Sequence, residues 1–367
     1  MAESTHISSD DVRVRKPENI AVYTNPNHDL YIHRSEIPTP GEGECLIHVR
    51  STGICGSDVH FWKAGHIGDM VVDGAVGLGH ESAGIVIAVG PNVTRFQEGD
   101  RVTLECGVPC MKATCFYCRN GTYNACPEVV FFSTPPYHGT MTRYHVHPEN
   151  WLHKLPDSLS FEEGALLEPL SVAFAGIDRS GVRLGDPLLI CGAGPIGMVS
   201  LLAAAAAGAN PIAITDLNND RLQLAKKLVP RVRTVCIDPS KKPKEAALDV
   251  KAALGQEAKV VLECTGFEAS VSTAIYSCRF GATVFVIGCG KDFQTVPFMY
   301  MAGKEIDLRF QYRYHDTYPR IISLVEDGII DLKPLVTHRY TLEEGEEAFK
   351  TASDPTAMAL KVQLIDE

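Results

Sequence analysis

The chain has 367 residues, of which 45% are hydrophobic and 22% charged, with a formal net charge of −11. That length exceeds one ordinary core, so two domains are expected. The negative charge argues against nucleic acid or an anionic membrane surface as a partner.

Met1–Glu18 is polar, lacks the apolar core of a secretory signal, and carries Glu3, Asp10, Asp11 and Glu18, unlike a mitochondrial presequence. The longest apolar stretch, about Ile196–Ala209, is too short to span a bilayer. Gln363–Glu367 is neither a prenylation box nor a peroxisomal address. The cytosol is the expected location. Twelve cysteines should then be reduced, clustered ones pointing to metal and scattered ones to core filling.

In chain order, residues from about 19 to 155 read as short β-runs broken by Gly and Pro. Glu44–Arg50, Glu81–Val89, Arg101–Leu104 and Thr142–Val146 are among them, and the pattern predicts an irregular barrel. Cys55 lies in Gly53-Ile54-Cys55-Gly56-Ser57-Asp58-Val59-His60, and His80 and Glu81 lie in Gly77-Leu78-Gly79-His80-Glu81. Singly these are a buried cysteine, a capped histidine and a surface glutamate. Together they supply S, N and O donors that can hold Zn²⁺ and leave a position open. Such a zinc lowers the pKa of an alcohol oxygen so that the alcohol can release hydride.

A second, denser group follows: Cys106, Cys110, Cys115, Cys118 and Cys126. Cys115-x2-Cys118 and x7-Cys126 is loop spacing for tetrahedral thiolate coordination, with Cys110 as fourth ligand and Cys106 as its competitor. Four thiolates close a zinc site, so this one would be structural. The interval Cys110-x4-Cys115 is longer than an even C-x2-C-x2-C run and leaves an unmetallated lobe open.

From about 180 to 300, strands at Pro187–Cys191, Pro211–Asp216, Thr234–Ile237, Lys259–Glu263 and Ala282–Ile287 alternate with helical patterns. That is the doubly wound α/β pattern. Gly192-Ala193-Gly194-Pro195-Ile196-Gly197 joins the first strand to the helical run Met198–Ala207. Gly192 allows a tight turn, Gly194 lets the backbone approach a pyrophosphate, and Gly197 lets the helix pack on the sheet. The helix N-terminus would face the phosphates. Asp216, 24 residues after Gly192, can accept hydrogen bonds from ribose hydroxyls and would repel a 2′-phosphate, which favours NAD over NADP. Arg221 is either a contact at the adenosine end or a solvated helix charge. From about 305 the chain returns to short strands and two helices, near Thr317–Asp327 and Leu342–Ala352.

Gly79-His80-Glu81, Cys55-Gly56-Ser57-Asp58, the cysteine lobe and Gly192–Gly197 resemble the zinc-dependent medium-chain dehydrogenase family, over nearly the whole chain. Leu167-Glu168-Pro169-Leu170-Ser171-Val172 resembles its polyol (sorbitol-type) branch, where simple alcohol dehydrogenases carry a third cysteine ligand in place of Glu168. The resemblance implies a GroES-like irregular β-barrel catalytic domain, 1–175 and 310–367, and a doubly wound parallel-sheet (Rossmann) nucleotide domain, 176–309. It implies zinc and NAD as cofactors and a homotetramer.

By that resemblance Cys55, His80 and Glu81 are the catalytic zinc ligands, and Cys110, Cys115, Cys118 and Cys126 the structural ones. Glu168 reaches the metal directly or through water and contacts substrate. Its ordinary alternative is a helix N-terminal acid before Pro169. Ser57 and His60 match a proton relay, for which Glu168 with water is the alternative. Phe61 matches a substrate-pocket aromatic or a plain core residue. Arg313 and Tyr314 match polar substrate contacts. Pro195, Ile196, Asp216, Arg221, Ile287, Gly288, Gln311, Tyr312 and Arg313 join the glycines as cofactor contacts. The stretches Phe132–Gly139 and Arg309–Tyr314 point within the branch to L-arabinitol, oxidised to L-xylulose, with xylitol or D-sorbitol as alternatives. The rival of another class is a nucleotide-binding redox sensor that has lost catalysis, which would be expected to lack a zinc ligand.

Overall fold

The structure is a computed structural model and describes residues 16–367. The N-terminal stretch read for targeting signals lies, up to Arg15, outside the described residues. The chain divides into two compact units: the chain up to Glu168 with Leu335–Glu367, and Pro169–Pro334.

The first unit is built on a seven-stranded, mostly antiparallel sheet with smaller sheets beside it. Its longest strand, Glu44–Gly53, pairs with Glu81–Val89, Tyr144–Pro148 and Lys361–Ile365. Successive side chains on a strand point to opposite faces, and here both faces are covered. Cys45, Ile47 and Val49 pack with Val86, Val102, Leu104 and Leu152, while Leu46 packs with Ile87 and Tyr144. A further core joins Ile20, Val22, Ile54, Leu78, Phe349 and Val362. The expected strands Glu81–Val89 and Arg101–Leu104 are found with those bounds. Thr142–Val146 is found two residues on, at Tyr144–Pro148.

The second unit carries six parallel strands in the order Arg233–Cys236, Ile212–Asp216, Leu188–Cys191, Ala258–Glu263, Cys278–Val286, Asp307–Phe310. In chain order this is 3-2-1-4-5-6, the doubly wound arrangement. The two central strands are buried throughout or nearly so, as continuous apolar runs in a covered sheet should be. The order reverses between Leu188–Cys191 and Ala258–Glu263, and the glycine turn leaves the carboxyl end of the first of these. Ligands bind at such switch points.

The contact division returns the chain to the first unit at Leu335, later than the expected 310. The segment after Asp307–Phe310 is tied to the carboxyl half of the helix Phe161–Ser180. Gln311 Nε2 donates to the Val172 carbonyl at 2.7 Å, and Arg320 pairs with Asp178. Among the described residues no helix is long and apolar enough to cross a membrane.

The end of the chain is fastened by charge. Asp366 is 3% exposed and accepts from His48 Nε2 at 2.9 Å, Arg143 Nε at 2.8 Å and Lys16 Nζ at 2.6 Å. Burial opposes its ionisation, but these three partners hold its carboxyl well below the ordinary range. Asp366→Asn removes the charge and leaves Arg143 buried with a weaker partner, so it should cost about 3 kcal/mol at neutral pH. A depressed carboxyl pKa stabilises above the unfolded-state value of about 3.9 and ceases to do so as pH falls through it and toward the folded value. Denaturant unfolding from pH 7 to pH 3 should therefore show wild type and variant converging in acid. A gap that does not change with pH would overturn this account.

Candidate active site and metal centres

Cys55 stands one residue beyond the strand Glu44–Gly53, past Ile54, and caps the helix Gly56–Ala64. Gly53 pairs with Glu81, the first residue of the neighbouring antiparallel strand, so the end of one strand meets the start of the next. That register brings Cys55 beside His80 and Glu81. One donor atom from each lies within 4.8 Å of the other two, with His80 and Glu81 buried and Cys55 half-buried. A thiolate, an imidazole and a carboxylate at that spacing can close on a single zinc with a fourth position left over.

The triad is aimed by Asp58, which has no solvent exposure. Its carboxylate accepts from Cys55 N at 3.0 Å, Gly79 N at 2.9 Å and Ser133 Oγ at 3.1 Å, and lies 3.6 Å from His80 Nδ1. Ser133 Oγ is also 2.9 Å from His80 Nδ1. These contacts fix the ring and leave Nε2 for the metal, as outer partners of metal-binding histidines do. Burial alone would raise the Asp58 pKa; the adjacent His80 and the two backbone N–H groups lower it overall. Burial likewise opposes a charge on His80, yet Asp58 and Cys55 hold its pKa well above the ordinary value. A cation bound to the ring would displace that proton.

Ser57 Oγ lies 3.4 Å from His80 Nε2. His60 is exposed one turn further along the same helix, and among the described residues no hydrogen bond joins it to Ser57. Phe61 is 2% exposed and packs in the core with Ile54, Leu78 and Phe349, so packing accounts for its ring. Glu168 is 5% exposed. It sits in the interior of the 20-residue helix Phe161–Ser180, as does Pro169, so the helix N-terminal alternative for it does not hold. Proline removes a helical hydrogen bond at this point, and the two units divide between Glu168 and Pro169. Lys361 Nζ donates to both oxygens of Glu81.

In the cysteine lobe, Cys110, Cys115, Cys118 and Cys126 place their sulfurs within 4.8 Å of one another. Cys110 and Cys118, and likewise Cys115 and Cys126, are 3.9 Å apart. Thiolates about 2.3 Å from a tetrahedral zinc lie roughly 3.8 Å apart, so the spacing fits a metal. A backbone N–H at Cys118 pulls the Cys115 thiol down to about 7. Cys106 is not in this group. It is wholly buried, and its thiol donates to the His80 carbonyl oxygen at 3.0 Å. The longer Cys110–Cys115 interval is absorbed by a turn, with Cys115 N donating to the Lys112 carbonyl.

In the second unit Gly192 has φ +95°, which a side chain would strain. A Cβ on Gly197 would meet the Gly192 carbonyl oxygen at 1.8 Å, and one on Gly194 would meet nothing within 4 Å. Close helix packing and room for a pyrophosphate are therefore both present, above Pro195 in the first turn of the helix Pro195–Ala206. Asp216 Oδ2 accepts from Ala193 N at 2.7 Å and Oδ1 from Asn218 N at 2.8 Å, so the acid also braces the glycine turn. Each oxygen keeps a lone pair for a ribose hydroxyl. Arg221 is half-buried in the first turn of the next helix. Ile287 N and Gly288 N both donate to the Glu263 carbonyl oxygen, at 2.7 and 3.0 Å. Gln311 is anchored through Nε2, and its buried Oε1 has no hydrogen-bond partner among the described residues, leaving an acceptor for a ligand. Arg313, at φ +55°, stacks over the Tyr312 ring, and Tyr314 is buried against Tyr318. The residues present fit a dinucleotide.

The family models agree with this division. One described as "Alcohol dehydrogenase GroES-like domain" matches residues 41–157, and one described as "Zinc-binding dehydrogenase" matches 195–327. The chain belongs to the zinc-binding alcohol dehydrogenase family, whose enzymes work with zinc and a nicotinamide dinucleotide. Within it, the chain is similar to the L-arabinitol 4-dehydrogenase of Penicillium rubens, 54% identical over 95% of this chain and 94% of the relative. It is also similar to that of Talaromyces emersonii, 52% identical over 96% and 95%. The sorbitol dehydrogenase of Bos taurus is 43% identical over 95% and 96%. Among solved structures, an Escherichia coli oxidoreductase/dehydrogenase of unknown specificity superposes with TM-score 0.87 at 34% identity, over 95% of this chain and 99% of that one.

Sequence reasoning left Asp58 and Ser133 without roles. Asp58 lies inside the quoted Cys55 motif, and a carboxylate three residues after a ligand was a usable signal. Ser133 gave none, because its partner His80 is 53 residues away in sequence. Metal analysis should find two zinc ions per chain. Cys118→Ser should leave one and lower thermal stability, whereas Cys55→Ser should leave one and nearly abolish turnover with the fold intact. One zinc per chain in carefully prepared wild type would exclude a metal from one of the two sites.

Proposed function

We propose that the protein oxidises L-arabinitol at a secondary hydroxyl to L-xylulose, with NAD as hydride acceptor, as a step in L-arabinose breakdown. The observation that carries this is the convergence of Cys55, His80 and Glu81 around Asp58 in a chain over half identical to L-arabinitol 4-dehydrogenases. Relatives named for sorbitol are more distant, at 43–44% identity, which ranks xylitol or D-sorbitol second. A complete donor set argues against an inactive nucleotide sensor.

Cys55, His80 and Glu81 would hold a zinc that would supply the acidity a substrate hydroxyl needs, and the glycine turn would hold NAD, the hydride acceptor. Ser57 Oγ, beside His80 Nε2, takes the proton of that hydroxyl toward the exposed His60 and solvent. Glu168, a buried carboxylate where simple alcohol dehydrogenases have a cysteine, accepts a hydrogen bond from a neighbouring hydroxyl of the polyol. Arg313 and Tyr314 serve further hydroxyls. A site with partners for several hydroxyls discriminates against alcohols that would leave them unpaired. Asp216 sets the cofactor through the adenosine ribose.

We also read the chain as a cytosolic homo-oligomer. Asp307–Phe310 is an edge strand, and Phe310, Phe298 and Met299 are exposed on the same unit, a surface that favours association. Sedimentation should show a species larger than the 40.0 kDa chain; a monomer at micromolar concentration would overturn this part.

Catalytic efficiencies for L-arabinitol, xylitol, D-sorbitol and 2-propanol, each with NAD and NADP, test the reading. L-arabinitol with NAD should lead. Arg313→Ala should lose a charge-assisted hydrogen bond worth roughly 1.5–3 kcal/mol, about 10- to 150-fold in efficiency, on polyols far more than on 2-propanol. Asp216→Ser combined with Leu217→Arg should raise NADP use. A clear lead for D-sorbitol would reassign the substrate, and equal use of NADP by wild type would remove the role given to Asp216.

A further inference from the structure

One buried charge is used by none of these steps. Lys361 opens the strand Lys361–Ile365, 280 residues from Glu81 in sequence. Its Nζ donates to Glu81 Oε1 at 2.8 Å, to Glu81 Oε2 at 2.6 Å and to the Ile54 carbonyl oxygen at 3.2 Å. The two side chains are 3% and 1% exposed. The carboxylate is confined from another side as well, because a Cβ on Gly53 would meet Glu81 Oε2 at 2.1 Å. The ammonium thus touches one donor of the triad and the residue immediately before another. Desolvation offsets most of what a buried ion pair gains, and an apolar pair of the same volume is often as stable. Stability alone therefore gives a weak account of a lysine here.

We propose that Lys361 is a positioning residue of the Cys55–His80–Glu81 centre: it aims the Glu81 carboxylate among the donors and competes with the metal for the same two oxygens. The inference rests on reading that triad as a metal site. A fixed ammonium beside a cation site has two consequences. It holds Glu81 in place when no metal is bound, so the metal-free protein is stabilised. It also repels a divalent cation at short range in a weakly screened interior, so the metal is held less tightly than the three donors alone would hold it. Lysine suits this task because its point charge can move between the two oxygens, and the Ile54 carbonyl gives it a resting partner.

The test is zinc affinity, measured on the full chain at pH 8 by competition with a chromophoric chelator, alongside thermal unfolding with and without zinc. The same titration on Cys55→Ser, in which the cysteine lobe alone keeps its full ligand set, is subtracted. Lys361→Met should bind zinc about tenfold more tightly or better. Its metal-free form should melt well below wild type while its zinc-loaded form falls less. Lys361→Arg should return both readings toward wild type. Gly53→Ala, which crowds Glu81 from the other side, should weaken zinc binding, and it supplies the reading if Lys361→Met does not fold. Unchanged or weaker zinc binding by Lys361→Met, with equal melting losses in both forms, would show a purely structural lysine and overturn the proposal. So would unchanged binding by Gly53→Ala where Lys361→Met does not fold. A wild type that binds no more zinc than Cys55→Ser would instead remove the metal reading itself.

Discussion

A carboxylate shut away from water must find hydrogen-bond donors in the protein, and Asp58 finds them on three separate segments. Cys55 N, Gly79 N and Ser133 Oγ all converge on it, and His80 lies against it. A group that is wholly buried and charged cannot shift without exposing or orphaning one of these partners, so the segments are locked to one another. The mutual placement of the thiol and the imidazole follows from that lock. Hydrogen bonds of the protein itself thus hold donors of the candidate metal centre in place, as a preorganised site requires.

Around this point the first unit brings opposing charges together at low exposure. Glu81 faces Lys361, and Asp366 faces Arg143. Both pairs join the carboxyl-terminal segment to residues more than 220 positions earlier, so a short stretch of chain completes the site's surroundings. The second unit works differently. Its two central strands are buried almost throughout, and its ligand-facing groups sit in turns at the carboxyl ends of the strands. There, a Cβ on Gly192 would meet Thr265 Cγ2 at 2.6 Å, so the two turns at the switch point touch each other. Main-chain geometry makes that site, and side-chain charge makes the other.

The nucleotide half was legible because its signals are local. Strand, glycine turn, helix and acid occupy the 29 consecutive residues Leu188–Asp216, and each carries a conformational requirement that short-range sterics impose. The strands Glu81–Val89 and Arg101–Leu104 were legible for the same reason, being apolar runs closed by Gly, Pro or polar turns. The cysteine lobe was legible in its spacing, but the choice between Cys106 and Cys110 was not. Both precede Cys115 by a loop-compatible interval, and only the path of the strand Arg101–Leu104 into the core takes Cys106 away. For Glu168 and Pro169 the helix-start alternative fails for a related reason. A proline after an acid is a usual helix start, yet packing of the helix Phe161–Ser180 carries both in its interior.

By itself, then, the sequence determined the donor types, the dinucleotide turn and the alternation of elements, since these depend on residue chemistry and on neighbours a few positions away. The tertiary structure alone decided which donors stand within reach of one another and which distant groups hold them: Ser133 on His80, Lys361 on Glu81, Arg143 on Asp366. Those pairings depend on strand register and on chain returns of 50 to almost 300 residues. No local preference encodes them, because a charge or hydroxyl gains its partner only after the strands have met.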